Sequence, residues 1–181
     1  MPTTLTLDAT RTDVRIRTRA IGLLATLAHD LEIECRDASG TADRDAGTAR
    51  VEVPVASMRV AGVVRGSRVD ANVLSPHDRN EIERKIRGDV LAARSVTIDA
   101  TLSGSTATLR VRAAAGECKT TCSVDRAADG DSETIRGRCS LSLRALGVRE
   151  VKGPMGAFKV DDTVQVEFRA VFVAAPSSAV D

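Results

Sequence analysis

Hydropathy alternates with period two over most of this chain, and no other feature limits its folding as strongly. From Thr134 to Leu143, Ile135, Gly137, Cys139, Leu141 and Leu143 fall on one parity, and Thr134, Arg136, Arg138, Ser140 and Ser142 on the other. Successive side chains of a strand point to opposite faces, so this run is a strand with one apolar and one wet face. From Thr163 to Val173 the pattern repeats, with Val164, Val166, Phe168, Ala170 and Phe172 set against Thr163, Gln165, Glu167, Arg169 and Val171. The two runs are expected to be antiparallel neighbours.

Upstream the same period returns. From Asp13, Val14, Ile16, Thr18 and Ala20 face in against Arg15, Arg17 and Arg19. From Leu27 to Arg36, Leu27, His29, Leu31, Ile33 and Cys35 face in; Asp30, Glu32 and Glu34 face out, matching the arginines across a solvated surface. Between these runs, Ile21 to Leu27 lacks the period and is expected to bend as a rim or plug over one end. Thr48 to Ser57 carries Val51, Val53 and Val55 inward, and Pro54 marks an edge or a bulge. Val96, Ile98, Ala100 and Leu102, then Leu109, Val111 and Ala113, flank a Gly104-Ser105 turn and predict a hairpin. Met58 to Val73 is a bent strand or a loop, Gly116 to Val124 a turn and a short strand, and Asp125 to Asp131 a polar loop.

One helix interrupts the strands. Ser75 as N-cap, Pro76 at the first helical position and Asp78 in the first turn start it, and Gly88 is expected to stop it after about Arg87. Its apolar stripe, Ile82, Ile86 and Val90, is narrow and suits a helix on a flank or rim. Nine candidate strands with no strand-helix alternation predict an all-β antiparallel barrel or sandwich. A length of 181 residues fits one domain, taken as residues 1–174, with 175–181 a flexible tail.

Charge and composition narrow the function. The 26 basic and 25 acidic residues give a net charge of +1 with interspersed signs, and aromatics are 2%, so neither a basic field nor a stacking surface for nucleic acid exists. No apolar run is long enough for stable membrane insertion, and the start, Met1-Pro2-Thr3-Thr4, has no secretory pattern. A cytoplasmic protein with reduced cysteines is the expectation, a homodimer among its possible states.

The candidate chemistry is sparse. Cys35, Cys118, Cys122 and Cys139 all fall on inward parity and with His29 would make soft metal ligands, but no C-x-x-C pair occurs and the spacing fits no zinc knuckle. They read as small core residues, and no metal or cofactor is expected. His29 and Asp30, adjacent on a strand, point to opposite faces and form no dyad; His77 lies in the first helical turn. Nucleophile elbow, P-loop, dinucleotide fingerprint and zinc-protease motif are all missing, so no enzyme is expected. Val148 to Asp162 centres on Gly153-Pro154-Met155-Gly156 between Lys152 and Lys159; it is an ordinary connection, or a cationic loop that gates a barrel mouth or meets an anionic headgroup. The small inward residues Thr18, Ala20, Ala100, Ala113, Gly137, Cys139 and Ala170 leave volume that Phe or Leu would fill, and a barrel of about eight strands has room for one ligand.

The order of several short motifs is similar to that of the YceI-like family. These are Val53-Pro54-Val55-Ala56-Ser57, a helix with Arg79, Ile82 and Arg84, then Val96-Thr97-Ile98-Asp99, and finally Leu146-Gly147-Val148, a Gly-rich loop and Asp162-Thr163-Val164-Gln165-Val166. The resemblance implies a lipocalin-like antiparallel barrel of about eight strands with one short helix, enclosing an elongated apolar cavity. It implies a binding protein, not an enzyme, with a polyisoprenoid or other long amphiphilic lipid as ligand. In that reading the cavity is lined by Ile16, Thr18, His29, Leu31, Ile33, Ile98, Leu109, Cys139, Leu141, Val166 and Phe168. Two other readings stand beside it: a metal- or haem-binding protein or small-molecule enzyme using His29 with Cys35 or Cys139, and a solid barrel that contacts partners through the Pro54 strand edge.

Overall fold

A computed structural model describes residues 4–25, 28–113 and 116–174. The expected tail, 175–181, and Leu27 lie outside the described residues. Strands β1 (Thr4–Leu7), β2 (Asp13–Arg17), β3 (Ala20–Ile21), β4 (Leu31–Cys35), β5 (Ser39–Asp43), β6 (Thr48–Pro54), β7 (Met58–Arg65) and β8 (Arg68–Asp70) precede helix α1 (Pro76–Lys85). After it come β9 (Ser95–Ser103), β10 (Thr106–Ala113), β11 (Gly116–Asp129), β12 (Ser132–Ser142), β13 (Lys159–Val160) and β14 (Thr163–Ala174).

Eight strands close into a ring in the order β1, β5, β6, β9, β10, β11, β12, β14 and back to β1. All pairings are antiparallel, and β12 and β14 pair along their whole length, from Ser132 opposite Val173 to Ser142 opposite Thr163. The expected all-β lipocalin-like barrel with one short helix is the architecture found. The Gly104-Ser105 hairpin also forms where its turn chemistry places it, with Gly104 at φ +59°.

Three strand positions are broken in the middle. β14 pairs β1 near its end and β2 near its start, so β1 and β2 share one place in the wall. β5 and β4 share the next, and β6 and β7 the third. The last break opens the wall, because β6 pairs β9 as far as Pro54–Ser95 whereas β7 turns away to pair β4 and β8. Pro54 therefore ends a strand paired on both sides and marks no edge; lacking an N–H, it sits where the ladder stops. Ser57 fixes the corner, its hydroxyl donating to the carbonyls of Arg36 and Pro54.

Helix α1 covers the gap. The expected cap is present: the Ser75 hydroxyl accepts from the Asp78 amide, and the Asp78 carboxylate accepts from the Ser75 amide. Glu83, buried on the helix, accepts from the Val60 amide at 3.0 Å, and Arg79 donates to the carbonyls of Val60 and Ala61. These side chains satisfy the backbone of β7 on the side where no strand follows. Gly88 does not stop the helix at Arg87; α1 gives way after Lys85 to one wide turn over Ile86–Val90 that carries the stripe inward.

Two further expectations give way to the structure. β11 is one strand of 14 residues, not a short strand and a loop, because the alternation continues through Val124 and the ladder with β12 holds Asp125 to Asp129. Glu32, on the outer parity, is not solvated: its carboxylate is buried between Arg17 at 2.7 Å and Arg15 at 3.9 Å. Elsewhere the outer face carries the expected mixed charges, such as Arg50 and Arg112 on Asp99.

The barrel has two unlike ends. At the turn end lie the tight connections 43–48, 103–106 and 129–132; at the loop end lie α1, the described residues 18–25 and 28–30, and the long connection 143–162.

Candidate ligand cavity

The inner parities of these strands enclose a cavity of about 800 Å³. Its wall is apolar from the middle of the barrel to both rims, formed by residues such as Ile98, Leu109 and Val166, and the helix contributes Ile82, Ile86 and Val90. Among the small residues expected to leave room, Thr18, Ala20, Ala100, Ala113, Cys139 and Ala170 line the cavity. Gly137 does not. A methyl group there would stand 2.7 Å from the Phe168 ring and 2.9 Å from Val124, so the ring has taken that space. All three aromatic residues of the chain, Phe158, Phe168 and Phe172, line the cavity.

Ile16, Thr18, His29, Leu31, Ile33, Ile98, Leu109, Cys139, Leu141, Val166 and Phe168 all border this space. His29 does so from an unexpected position. β4 begins only at Leu31, so His29 precedes the strand and stands exposed at the loop-end rim instead of pointing inward from a buried wall. Neighbouring Asp30 accepts the Ala20 amide at 2.8 Å, which ties the segment to β3.

The four cysteines are free and buried. Burial pushes the Cys35 thiol up to about 12, the nearby charge of Asp13 adding to it. Burial likewise pushes Cys139 up to about 12, helped by the neighbouring thiols of Cys122 and Cys118, and raises Cys122. Burial of this kind disfavours the thiolate, and of the four only Cys35 and Cys139 line the cavity. Among the described residues no group of three or more His, Cys, Asp or Glu side chains is placed to hold a metal ion. Nor is any helix there long and apolar enough to cross a membrane.

Polar groups gather at the rims. At the turn end Glu133 points inward and is buried, with Arg44 Nε at 3.3 Å and Arg126 also paired to it. Arg44 belongs to the β5–β6 turn and reaches across the ring to β12, donating as well to the carbonyls of Ser132 and Gly130. These three charges close the turn end. The sequence pattern hides them, because the alternation of β12 is plain only from Thr134 and that of β11 only as far as Val124. Extending each period outward puts Glu133 and Arg126 on inner parity.

At the loop end the rim is built from Arg19, His29, Asp78, Glu81, Lys85 and Lys152. The Gly-rich loop is held by Glu150, which pairs with both Lys152 and Lys159 and is thereby kept below its usual carboxyl range. Asp162 anchors the loop's far side, accepting from the Ser142 hydroxyl and the Arg144 amide, both at 2.7 Å. Phe158 lies over Gly153, where any side chain would meet its ring at 2.3 Å.

Fold and cavity together define a closed lipocalin-like barrel with an apolar interior. Two solved structures share it: Burkholderia cenocepacia BcnA, with a TM-score of 0.61 at 16% identity over 91% of this chain and 98% of its own; and a polyisoprenoid-binding domain from Saccharophagus degradans, implicated in plant cell wall breakdown, with a TM-score of 0.63 at 11% identity over 97% and 100%. No protein-family model and no curated protein sequence matches the chain. The lipocalin-like barrel implied by the YceI-like resemblance is thus matched in fold by these neighbours, across nearly their whole lengths.

Proposed function

We propose that this chain is a YceI-like carrier that binds a long apolar amphiphile, a polyisoprenoid or fatty chain, in the barrel and performs no chemistry on it. The cavity carries this reading: about 800 Å³ with an apolar wall lies in the upper part of the range for ligand sites, about 300–1,000 Å³. Transfer of each CH2 from water to such a wall is worth about 0.8 kcal/mol, so a chain of many carbons needs few polar contacts. The second structural neighbour is a polyisoprenoid-binding domain, which supports the same ligand class. Four free, buried thiols suit a reducing compartment and support the cytoplasmic expectation.

Native mass spectrometry of protein purified without denaturation, followed by solvent extraction, tests the reading. The expected result is an adduct that extracts as a prenyl or acyl chain. Ala100, on the cavity wall, is the control position: Ala100→Trp fills the space, and should abolish the adduct while the circular dichroism spectrum is retained. An adduct of metal mass, or a lipid adduct that survives Ala100→Trp, would overturn it.

A further inference from the structure

Four large apolar side chains stand exposed among the described residues: Ile21 at 38%, Leu23 at 100%, Leu24 at 45% and Met155 at 103%. All four belong to the loop end, on two connections far apart in sequence. The β3–β13 pairing, Ile21 opposite Lys159 and Ala20 opposite Val160, joins the two connections at their base, and Gly22 lies against Ala157 and Phe158. Gly22, at φ +111°, and Met155 with Gly156, at φ +51° and +71°, turn the chain sharply at both tips. Stretches next to the tips line the cavity: Arg19 and Ala20 on one side, and Lys152, Gly153, Phe158 and Val160 on the other.

Exposed cations flank the tips. Arg19 precedes one, and Lys152 and Lys159 bracket the other, with Lys85 Nζ donating to the Lys152 carbonyl. Glu150 is the acid between the two lysines and is paired to both; Asp78 and Glu81 lie on the helix side of the rim. Projecting apolar tips with cations just behind them form the arrangement that sits at a bilayer interface, apolar groups in the acyl boundary and cations among phosphates. A protein partner needs a broad face, about 800 Å² per side, which four side chains on two narrow turns do not offer.

We propose that the loop end docks on an anionic phospholipid surface, with Leu23, Leu24 and Met155 inserted and Lys152 and Lys159 meeting headgroup phosphates. In this pose the mouth of the cavity opens onto the membrane, so the cargo passes between bilayer and barrel without crossing water. Docking is peripheral and involves only side chains at the tips of loops. The inference deepens the carrier reading and rests on it for its purpose, but it is tested without cargo.

Flotation with vesicles of phosphatidylcholine and phosphatidylglycerol, compared with phosphatidylcholine alone, provides that test. The wild type is expected to float with the anionic vesicles, the Leu23→Ser, Leu24→Ser, Met155→Ser triple variant to lose at least about tenfold in partition, and Lys152→Gln with Lys159→Gln to lose the preference for anionic lipid. Unchanged thermal unfolding of the triple variant shows that the loss is not one of folding. Wild type that stays unbound, or flotation indifferent to the triple substitution, overturns docking; so does sedimentation showing that the tips instead hold two copies of the chain together. Floating protein whose extracts contain no lipid adduct retains docking and removes the carrier reading, while an adduct without flotation does the reverse.

Discussion

The turn end and the loop end of the barrel are both narrowed by side chains, but by different means. At the turn end, three short hairpins crowd together and the last opening is closed by charge, Arg44 and Arg126 on a buried Glu133. At the loop end, the 143–162 connection is braced internally by Phe158 on Gly153 and by exposed ion pairs, it meets the other connection through the short β3–β13 pairing, and the apolar tips face outward. A closure whose charges lose their partner on opening is expensive to open, whereas one made of exposed pairs and loop contacts opens at little cost. Under the proposed carrier reading, this difference makes the turn end the floor and the loop end the door.

The thiols between the two ends report whether either opens. With Cys35 and Cys139 pushed up to about 12 from an ordinary 9.0, their thiolate fraction at pH 8 falls roughly thousandfold, and labelling by a thiol reagent should slow by at least that factor until guanidinium exposes them. Fast labelling of Cys139 in native protein would break the picture of a closed interior.

Glu133→Gln keeps the shape of the floor but strands two arginines. It should cost about 2–4 kcal/mol in urea unfolding, somewhat below the loss for a wholly buried pair because both guanidiniums reach water, and it should raise Cys139 labelling. Equal stability would mean that the floor is held by its hairpins alone. Gly137→Ala, in the wall between the ends, forces the Phe168 ring aside and is expected to cost about 1–3 kcal/mol, read in the same assay.

Acid should act on the door. Hydrogen bonds from Lys159 and Lys152 lower Glu150, and those from Ser142 and the Arg144 amide lower Asp162. A carboxyl lowered on folding stabilises the fold above its unfolded value, near 4, and loses that contribution as pH falls through its folded value. Amide exchange in 143–162 should therefore accelerate below about pH 4, measured against the hairpin amides of β9 and β10. The smallest effect belongs to the tips: Leu23→Ser should change unfolding stability by no more than about 0.5 kcal/mol. A larger loss would show that Leu23 packs against the body of the protein.

Legibility in the sequence followed the length of each alternation. Where one face meets the core and the other meets water, each residue votes for the same register, so β12, β14 and the β9–β10 hairpin could be placed from their side chains alone. What escaped were the places where a long-range neighbour overrules local pattern. Glu32 is outward by parity yet buried by two arginines, and Gly137 is a gap by composition yet filled by Phe168 from the facing strand. His29 has inward parity on a strand that has not yet begun. Of the site, the apolar lining could be read from parity, whereas the charged floor needed a partner 89 residues away, Arg44 to Glu133.

The position of β14 also sets a clock. It is the common neighbour of β1, β2 and β12, and the ribosome makes it after every other strand of the barrel. At about 5–20 residues per second, roughly 10–30 s separate the emergence of β1 from that of the strand that receives it. Throughout that interval the future cavity is an open, curling sheet with its greasy side bare, the state most exposed to aggregation or to capture by a holding chaperone. Closure joins strands from opposite ends of the described chain in one late step, so the barrel should fold slowly and after synthesis, and a lipid already present could enter as the wall shuts.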